Sequence, residues 1–252
     1  MKRVFQKEFE VFNEELNGFI LGFNHSGVQF GKANRNTIKL FKLNDTTVNI
    51  KSFKVPNIFN QIAYRFFRKS KAQRSFEYAN KLQSLDIGTP QPIAYYEFNS
   101  LFLFKKSYYL SEHLDADLTF RELSRDFNYP NHNEILRAFT RFTFDLHNKN
   151  VLFLDHSPGN TLIKEVHDGY SFSLVDLNRM QFKTLDFDAR IKNFSRLTPH
   201  QYIVEIMSDE YAKCLNVDYE KVFKLMWKYT VEFQSKHLRK KQLKQRLKFW
   251  KK

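Results

Sequence analysis

The sequence of 252 residues is short of cysteine, glycine and uncharged apolar runs, and each shortage excludes something. A single cysteine, Cys214, has no intrachain partner, which rules out a disulfide framework and fits a reducing compartment. No stretch approaches the roughly 18 uncharged apolar residues that a membrane span needs. Glu8, Glu10, Glu14 and Glu15 interrupt the opening segment, so no signal peptide is expected and the cytoplasm is the default compartment. Glycine occurs only 7 times, and the group Gly18, Gly22, Gly27 and Gly31 does not form G-x-G-x-x-G, so no glycine-rich phosphate loop is signalled.

Aromatic residues, by contrast, are abundant. Phenylalanine alone occurs 28 times and hydrophobic residues make up 42% of the chain, which supplies a core and argues against disorder. A mass of 30.4 kDa suffices for one large domain or two lobes. The net charge is +14, which invites a nucleic-acid or membrane-surface partner. Its distribution narrows the choice: the last 17 residues, "KHLRKKQLKQRLKFWKK", hold nine Lys or Arg and no acid, leaving only about +5 on the other 235.

The texture changes near residue 112. Before it, "FILGF", "GVQFGK", "TIKLFKL" and "TVNIKSFKV" read as short strands separated by the turn signals "NHSG", "ANRN" and "LNDT". A helix is expected in "SKAQRSFEYANKLQSLDIGTP", where Ala72, Phe76, Ala79, Leu82 and Leu85 recur at helical steps and Gly88 with Pro90 ends it. "PIAYYEF", "LFLFKK" and "SYYLSEHL" supply two or three further strands. Beyond residue 112, "HNEILRAFTRFTFDLHNKN" and "DYEKVFKLMWKYTVEFQSKHL" are helical, and only "VLFLD", "NTLIK" and "FSLVDL" have strand character. The expectation is an α+β chain: an antiparallel sheet with one helix over 1–112, a mostly helical half with a small hairpin over 113–235, and a basic tail over 236–252. Two such lobes around a cleft would suit a small-molecule site.

The polar residues suggest phosphoryl transfer, which needs an orienter for the attacking hydroxyl, oxygen ligands for Mg²⁺, a cation on the phosphates and an anion holding that cation. Asp155 and Asn160 flank the turn "DHSPGN", and Asp176 closes the strand "FSLVD", beside Asn160 if the two strands pair as a hairpin. A carboxylate and an amide oxygen suit Mg²⁺, which prefers hard oxygen ligands. Taken alone, the turn reads equally as capping. Lys51 ends the alternating strand "TVNIK", with Asn49 on its face and Val48 and Ile50 on the other. Glu77 lies beside the apolar stripe of the following helix, so Lys51 is its expected partner, with Lys54 as competitor. His156 reads as a loop residue rather than a base.

The order "VNIK", "KAQRSFEYANKL", "GTPQPIAYYE", "LDHSPGNTLI" and "FSLVDLNRM" resembles the bacterial lipopolysaccharide core kinases, the Kdo and heptose kinase group of the protein-kinase-like fold. The resemblance spans about residues 30–185. It implies a bilobal kinase fold, ATP with Mg²⁺, and phosphorylation of a hydroxyl on an inner-core sugar of a lipid-linked saccharide of the Kdo-lipid A type. By position, Asp155 is similar to the catalytic Asp, Asn160 and Asp176 to the metal ligands, Lys51 to the phosphate-binding Lys and Glu77 to its partner. "GKANRN", with Lys32, Asn34 and Arg35, resembles the nucleotide-covering turn, and "YYLSEHL", with Glu112, the hinge behind the adenine. Two departures stand out: Phe153 occupies the place of a His two residues before the Asp, and Asp176-Leu177-Asn178 replaces Asp-Phe-Gly. A kinase with a protein or aminosugar acceptor, and a non-catalytic scaffold, remain as rival readings.

Leu238, Leu243, Leu247 and Trp250 form a narrow apolar stripe in the basic tail, which suits an anionic membrane surface and predicts a protein peripheral to the inner membrane. Nucleic acid is disfavoured, because the aromatics sit in apolar runs rather than among basic groups. A solvated helix end is the plain alternative.

Overall fold

The computed structural model describes residues 1–32 and 36–249, so Asn34, Arg35 and Trp250 lie outside the described residues. The chain divides into two compact units, Met1–Asp115 with Asp176–Asn178, and Ala116–Val175 with Arg179–Lys252.

The first unit is built on a sheet. β1 (Lys2–Phe5) is followed by α1 (Asn13–Leu21), β2 (Val28–Phe30), β3 (Thr37–Leu43), β4 (Thr46–Phe53), α2 (Ile58–Phe66), α3 (Lys71–Gln83), β5 (Pro92–Asn99) and β6 (Phe104–Glu112). The strand order is β1-β5-β6-β4-β3-β2, with every neighbouring pair antiparallel. Leu43 pairs with Thr46, leaving Asn44-Asp45 as a two-residue loop whose Asn44 takes a positive φ of 50°. Alternation along the strands gives the sheet two faces. Val48, Ile50, Tyr96 and Leu110 pack with Leu16 and Ile20 of α1, and Phe19 stacks on Phe41 at 4.9 Å. Tyr95 faces the other way, against Phe76 of α3 at 5.4 Å.

Several expectations need correcting. "FILGF" is not a strand: Leu16, Ile20 and Phe23, buried at steps of four and three, place it in and just after α1. The sixth strand of the sheet is the edge strand β1, four residues long, which carries no alternation strong enough to read. Three helices rather than one accompany the sheet. α3 stops at Gln83, short of Gly88 and Pro90: Asp86 takes φ 52° and Ile87 N–H bonds back to the Leu82 C=O, a left-handed C-terminal cap.

The second unit is mostly helical. β7 (Leu118–Thr119), α4 (Phe120–Leu123) and α5 (His132–Asn148) precede β8 (Val151–Phe153), β9 (Thr161–Val166), β10 (Gly169–Leu174) and β11 (Met180–Phe182). α6 (Phe187–Lys192), a 3-10 turn at Asn193–Arg196, α7 (Gln201–Leu215) and α8 (Tyr219–Phe249) complete it. Its core joins Phe120, Phe139, Phe194, Tyr211 and Met226. β9 and β10 form the expected hairpin, flanked by β7, while β8 pairs separately with β11. Thr119 and Glu122 close a capping box at the start of α4. Arg137 and Arg141 of α5 hold Glu210 of α7 at 3.0 and 2.5 Å, and Arg137 also pairs with Asp209. Burial raises the Glu210 pKa, but the two arginines outweigh it and hold the carboxyl below its ordinary range.

Candidate active site

The loop after β8 carries the acid and the amide. β8 ends at Phe153, and Leu154 N–H still bonds to the Arg179 C=O, so Asp155 begins where the pairing with β11 stops. The Asn160 Nδ2 donates to the Asp155 backbone C=O at 2.9 Å. That bond fixes the amide's orientation and leaves its Oδ1 as the end able to accept a cation. Gly159 sits against Arg121, whose guanidinium occupies the space a Cβ would fill. The hairpin register ends with Val175 N–H donating to the Asn160 C=O, one residue before Asp176.

Asp155 has a partner that no local motif signals. Arg196 places Nη2 2.8 Å from the Asp155 Oδ1 and donates from Nη1 to the Leu154 C=O at 2.8 Å. One guanidinium thus grips the side chain of the acid and the backbone just before it, while the Asp155 Oδ2 makes no hydrogen bond or ion pair among the described residues. The same 3-10 turn supplies a second brace. Asn193 Nδ2 donates to the Phe153 C=O at 2.9 Å, and its Oδ1 meets His147 Nε2 at 3.1 Å. Since that oxygen can only accept, His147 carries its proton on Nε2 and accepts the Tyr211 hydroxyl at Nδ1, 2.7 Å away. Burial pushes the His147 pKa down to about 4, in keeping with a neutral ring.

Phe153 is fully buried, with its ring 5.9 Å from His156. His156 is equally buried, and neither ring nitrogen makes a hydrogen bond of ordinary geometry. Burial drives its pKa to about 3, with neighbouring His147 adding to the shift and the nearby Asn193 amide opposing it. His156, expected as a loop residue rather than a base, proves to be a fully buried, neutral ring packed against Phe153 and Phe139.

Asp176 belongs to the first unit. Lys51 Nζ lies 2.7 Å from its Oδ1, and Asn178 Nδ2 donates to the same oxygen at 2.6 Å. Asp176 takes φ 59°, a left-handed conformation that Asp tolerates better than most residues. Lys51 pairs across β4 and β6 with Tyr109, which pairs with Tyr95, so Lys51 lies on the α3 face of the sheet as its alternation predicts. The predicted Lys51–Glu77 pair is absent. Glu77 is held instead by Lys69 at 2.8 Å and by Gln73, one helical turn earlier, at 2.9 Å. Two local donors capture the carboxylate while Asp176 engages Lys51. Lys54 is exposed, and its side chain forms no ion pair among the described residues. Lys32 is exposed beside Gly31, and Glu112 closes β6 half-buried, its N–H bonded to the Gln91 C=O.

A sheet-based unit with a strand lysine, and a helical unit with an Asp-x4-Asn loop, make up the equipment of a kinase-like phosphotransferase. A family model described as "Lipopolysaccharide kinase (Kdo/WaaP) family" matches residues 53–223. The chain belongs to that family and is accordingly a phosphotransferase acting on a sugar hydroxyl. Among solved structures, "WaaP in complex with acyl carrier protein" is similar at a TM-score of 0.63 and 16% identity, covering 94% of this chain and 98% of that chain. The likeness shows a common fold, a kinase-like α+β arrangement with an antiparallel sheet of six strands. No curated protein sequence matches.

Proposed function

We propose that this protein transfers the γ-phosphate of ATP to a hydroxyl of an inner-core lipopolysaccharide sugar, Kdo or heptose, at the cytoplasmic face of the inner membrane. Membership of the family supports ATP as donor. Asp155 orients the hydroxyl and takes its proton through the oxygen that Arg196 leaves open. The amide oxygen of Asn160 and the carboxylate of Asp176 would hold Mg²⁺, and Lys51 would neutralise charge on the phosphates. Lys32, Asn34, Arg35 and Glu112 serve the nucleotide in this reading, and Glu77 supports α3 through Lys69 rather than Lys51.

The observation that carries the proposal is the 2.7 Å ion pair between Lys51 and Asp176, residues far apart in sequence that phosphoryl transfer requires together. The pair sets the cation that would neutralise phosphate charge beside the carboxylate that would hold Mg²⁺. The test is phosphate transfer from ATP to Kdo-bearing and to heptose-bearing lipid A acceptors. Asp155→Ala is expected to lower kcat about 10²- to 10⁴-fold, the range of a lost general base. Unchanged transfer by that variant would remove Asp155 from the mechanism, and the preferred acceptor decides between Kdo and heptose.

A further inference from the structure

α2 is built inside out. Ile58, Phe59, Ile62 and Phe66 fall within an arc of about 100° on this helix, the width of stripe that normally faces a core. Here all four are exposed, Phe59 by 80%, and α2 buries none of its residues. Tyr64 turns inward to meet Phe104 at 5.5 Å. Phe67, directly after the helix, is 83% exposed, and the loop between β5 and β6 adds Leu101 at 72% and Phe102 at 66%. Arg65 Nε donates to the Leu101 C=O at 3.3 Å and so ties helix and loop into one patch.

The segments that form this patch carry charge of one sign. No acidic residue occurs from Thr46 to Phe76 or from Phe98 to Ser111. Lys54, Arg68, Lys105 and Lys106 are exposed at its borders. An apolar face of this kind, flanked along the chain by cations, matches a surface with an anionic border over an apolar interior.

We propose that α2 and the Leu101-Phe102 loop form a membrane-inserting element that seats this protein on an anionic bilayer, with Phe59, Phe67 and Phe102 entering the acyl boundary. The inference deepens the membrane-face reading above, but it rests on a surface separate from the basic tail. It gives the first unit its own hold on the bilayer that carries a lipid-linked substrate.

Sedimentation of the full chain with vesicles of phosphatidylglycerol and phosphatidylcholine tests it without any turnover. Phe59→Ser combined with Phe67→Ser is expected to weaken binding about tenfold or more, given ~0.8 kcal/mol for each buried CH2 equivalent. Val11→Ser combined with Leu21→Ser, which removes equally exposed apolar groups outside the patch, is expected to bind like the unaltered protein. Equal binding by the Phe59/Phe67 variant and the unaltered protein overturns the proposal. So does a concentration-dependent dimer that this variant converts to monomer, since the occupant would then be a second copy. Because vesicle binding is read apart from phosphate transfer, an inactive protein that still binds through α2 would reject the kinase roles and leave this element standing.

Discussion

At the scale of single residues, two buried histidines set a pH dependence of stability. His147 and His156 are neutral in the fold, with pKa values pushed down to about 4 and about 3 by burial. Above the ordinary histidine value of roughly 6.5, folded and unfolded chains are both neutral at these sites and stability does not change through them. As pH falls below it, the unfolded chain binds protons that the folded chain refuses, so stability declines until the folded-state values are reached. Between pH 6.5 and 5 the loss is ~2 kcal/mol for each histidine. Urea denaturation of His156→Leu at pH 7.5, 6.5 and 5 is expected to show about half the decline of the parent chain. An unaltered slope would mean that His156 is protonated without strain. Asp209 and Glu210 act in a lower window: the hydrogen bonds of Lys213 and Arg137 to Asp209, opposed by its own burial, hold that pKa down, as the arginines do for Glu210. Their stabilisation is present above the ordinary carboxylate range and is lost as pH falls through the depressed values.

At the scale of elements, the 3-10 turn at Asn193–Arg196 braces the loop that holds Asp155. Asn193→Ala removes the donor to the Phe153 C=O and leaves the buried His147 without its acceptor, costing about 1–3 kcal/mol of stability. Steady-state kinetics are expected to show kcat down about tenfold with the KM for ATP nearly unchanged, since a small shift of a positioned acid affects the transition state more than binding. Equal changes in both constants would mark the turn as a general support of the unit. None of this brace was legible in the sequence, because Arg196 lies 41 positions beyond Asp155 and only the packing of α6 and α8 on the turn, with α5 on β8, brings the two together. What was legible had strong periodicity. β4 alternates at Val48 and Ile50, β5 is a continuous apolar run, α3 and α5 repeat at helical steps, and the Pro158-Gly159 bend announces itself. Lys51, Asp155, Asn160 and Asp176 stood out as candidates because they lie within or next to such segments. Glu77 could also be picked out, yet its partner could not, since competition from Lys69 and Gln73 is decided by side-chain reach. α2 defied reading for a related reason: its stripe is plain, but periodicity does not say which way a stripe points. With glycine scarce, positive φ is adopted not only at Gly27, Gly31 and Gly169 but also by Asn or Asp at Asn44, Asp86, Asn131, Asn150, Asp176 and Asn216.

At the scale of the whole molecule, charge is segregated, and α8 shows how. Val222, Met226 and Thr230 are its last buried positions, and residues 235–246 are exposed throughout, carrying six Lys or Arg and no acid. Leu238 and Leu243 are exposed within that stretch. Residues four apart such as Lys236, Lys240 and Lys244 repel one another along the helix, and a helical end without tertiary contacts is only marginally stable in water. An anionic surface supplies what this segment lacks, counter-charge for the lysines and a boundary for the leucines. Each basic residue near such a surface contributes about 1 kcal/mol, so Lys240→Gln, Lys241→Gln and Lys244→Gln together are expected to weaken vesicle binding by up to ~100-fold at 0.1 M salt. At 1 M salt, where the Debye length shrinks to about 3 Å, that difference is expected to vanish while the effect of Phe59→Ser with Phe67→Ser persists. Far-UV circular dichroism is expected to show helix gained on adding anionic vesicles to the parent chain and less gained by the triple variant. Equal salt dependence for parent and triple variant would remove the tail from membrane attachment and leave α2 as the proposed contact.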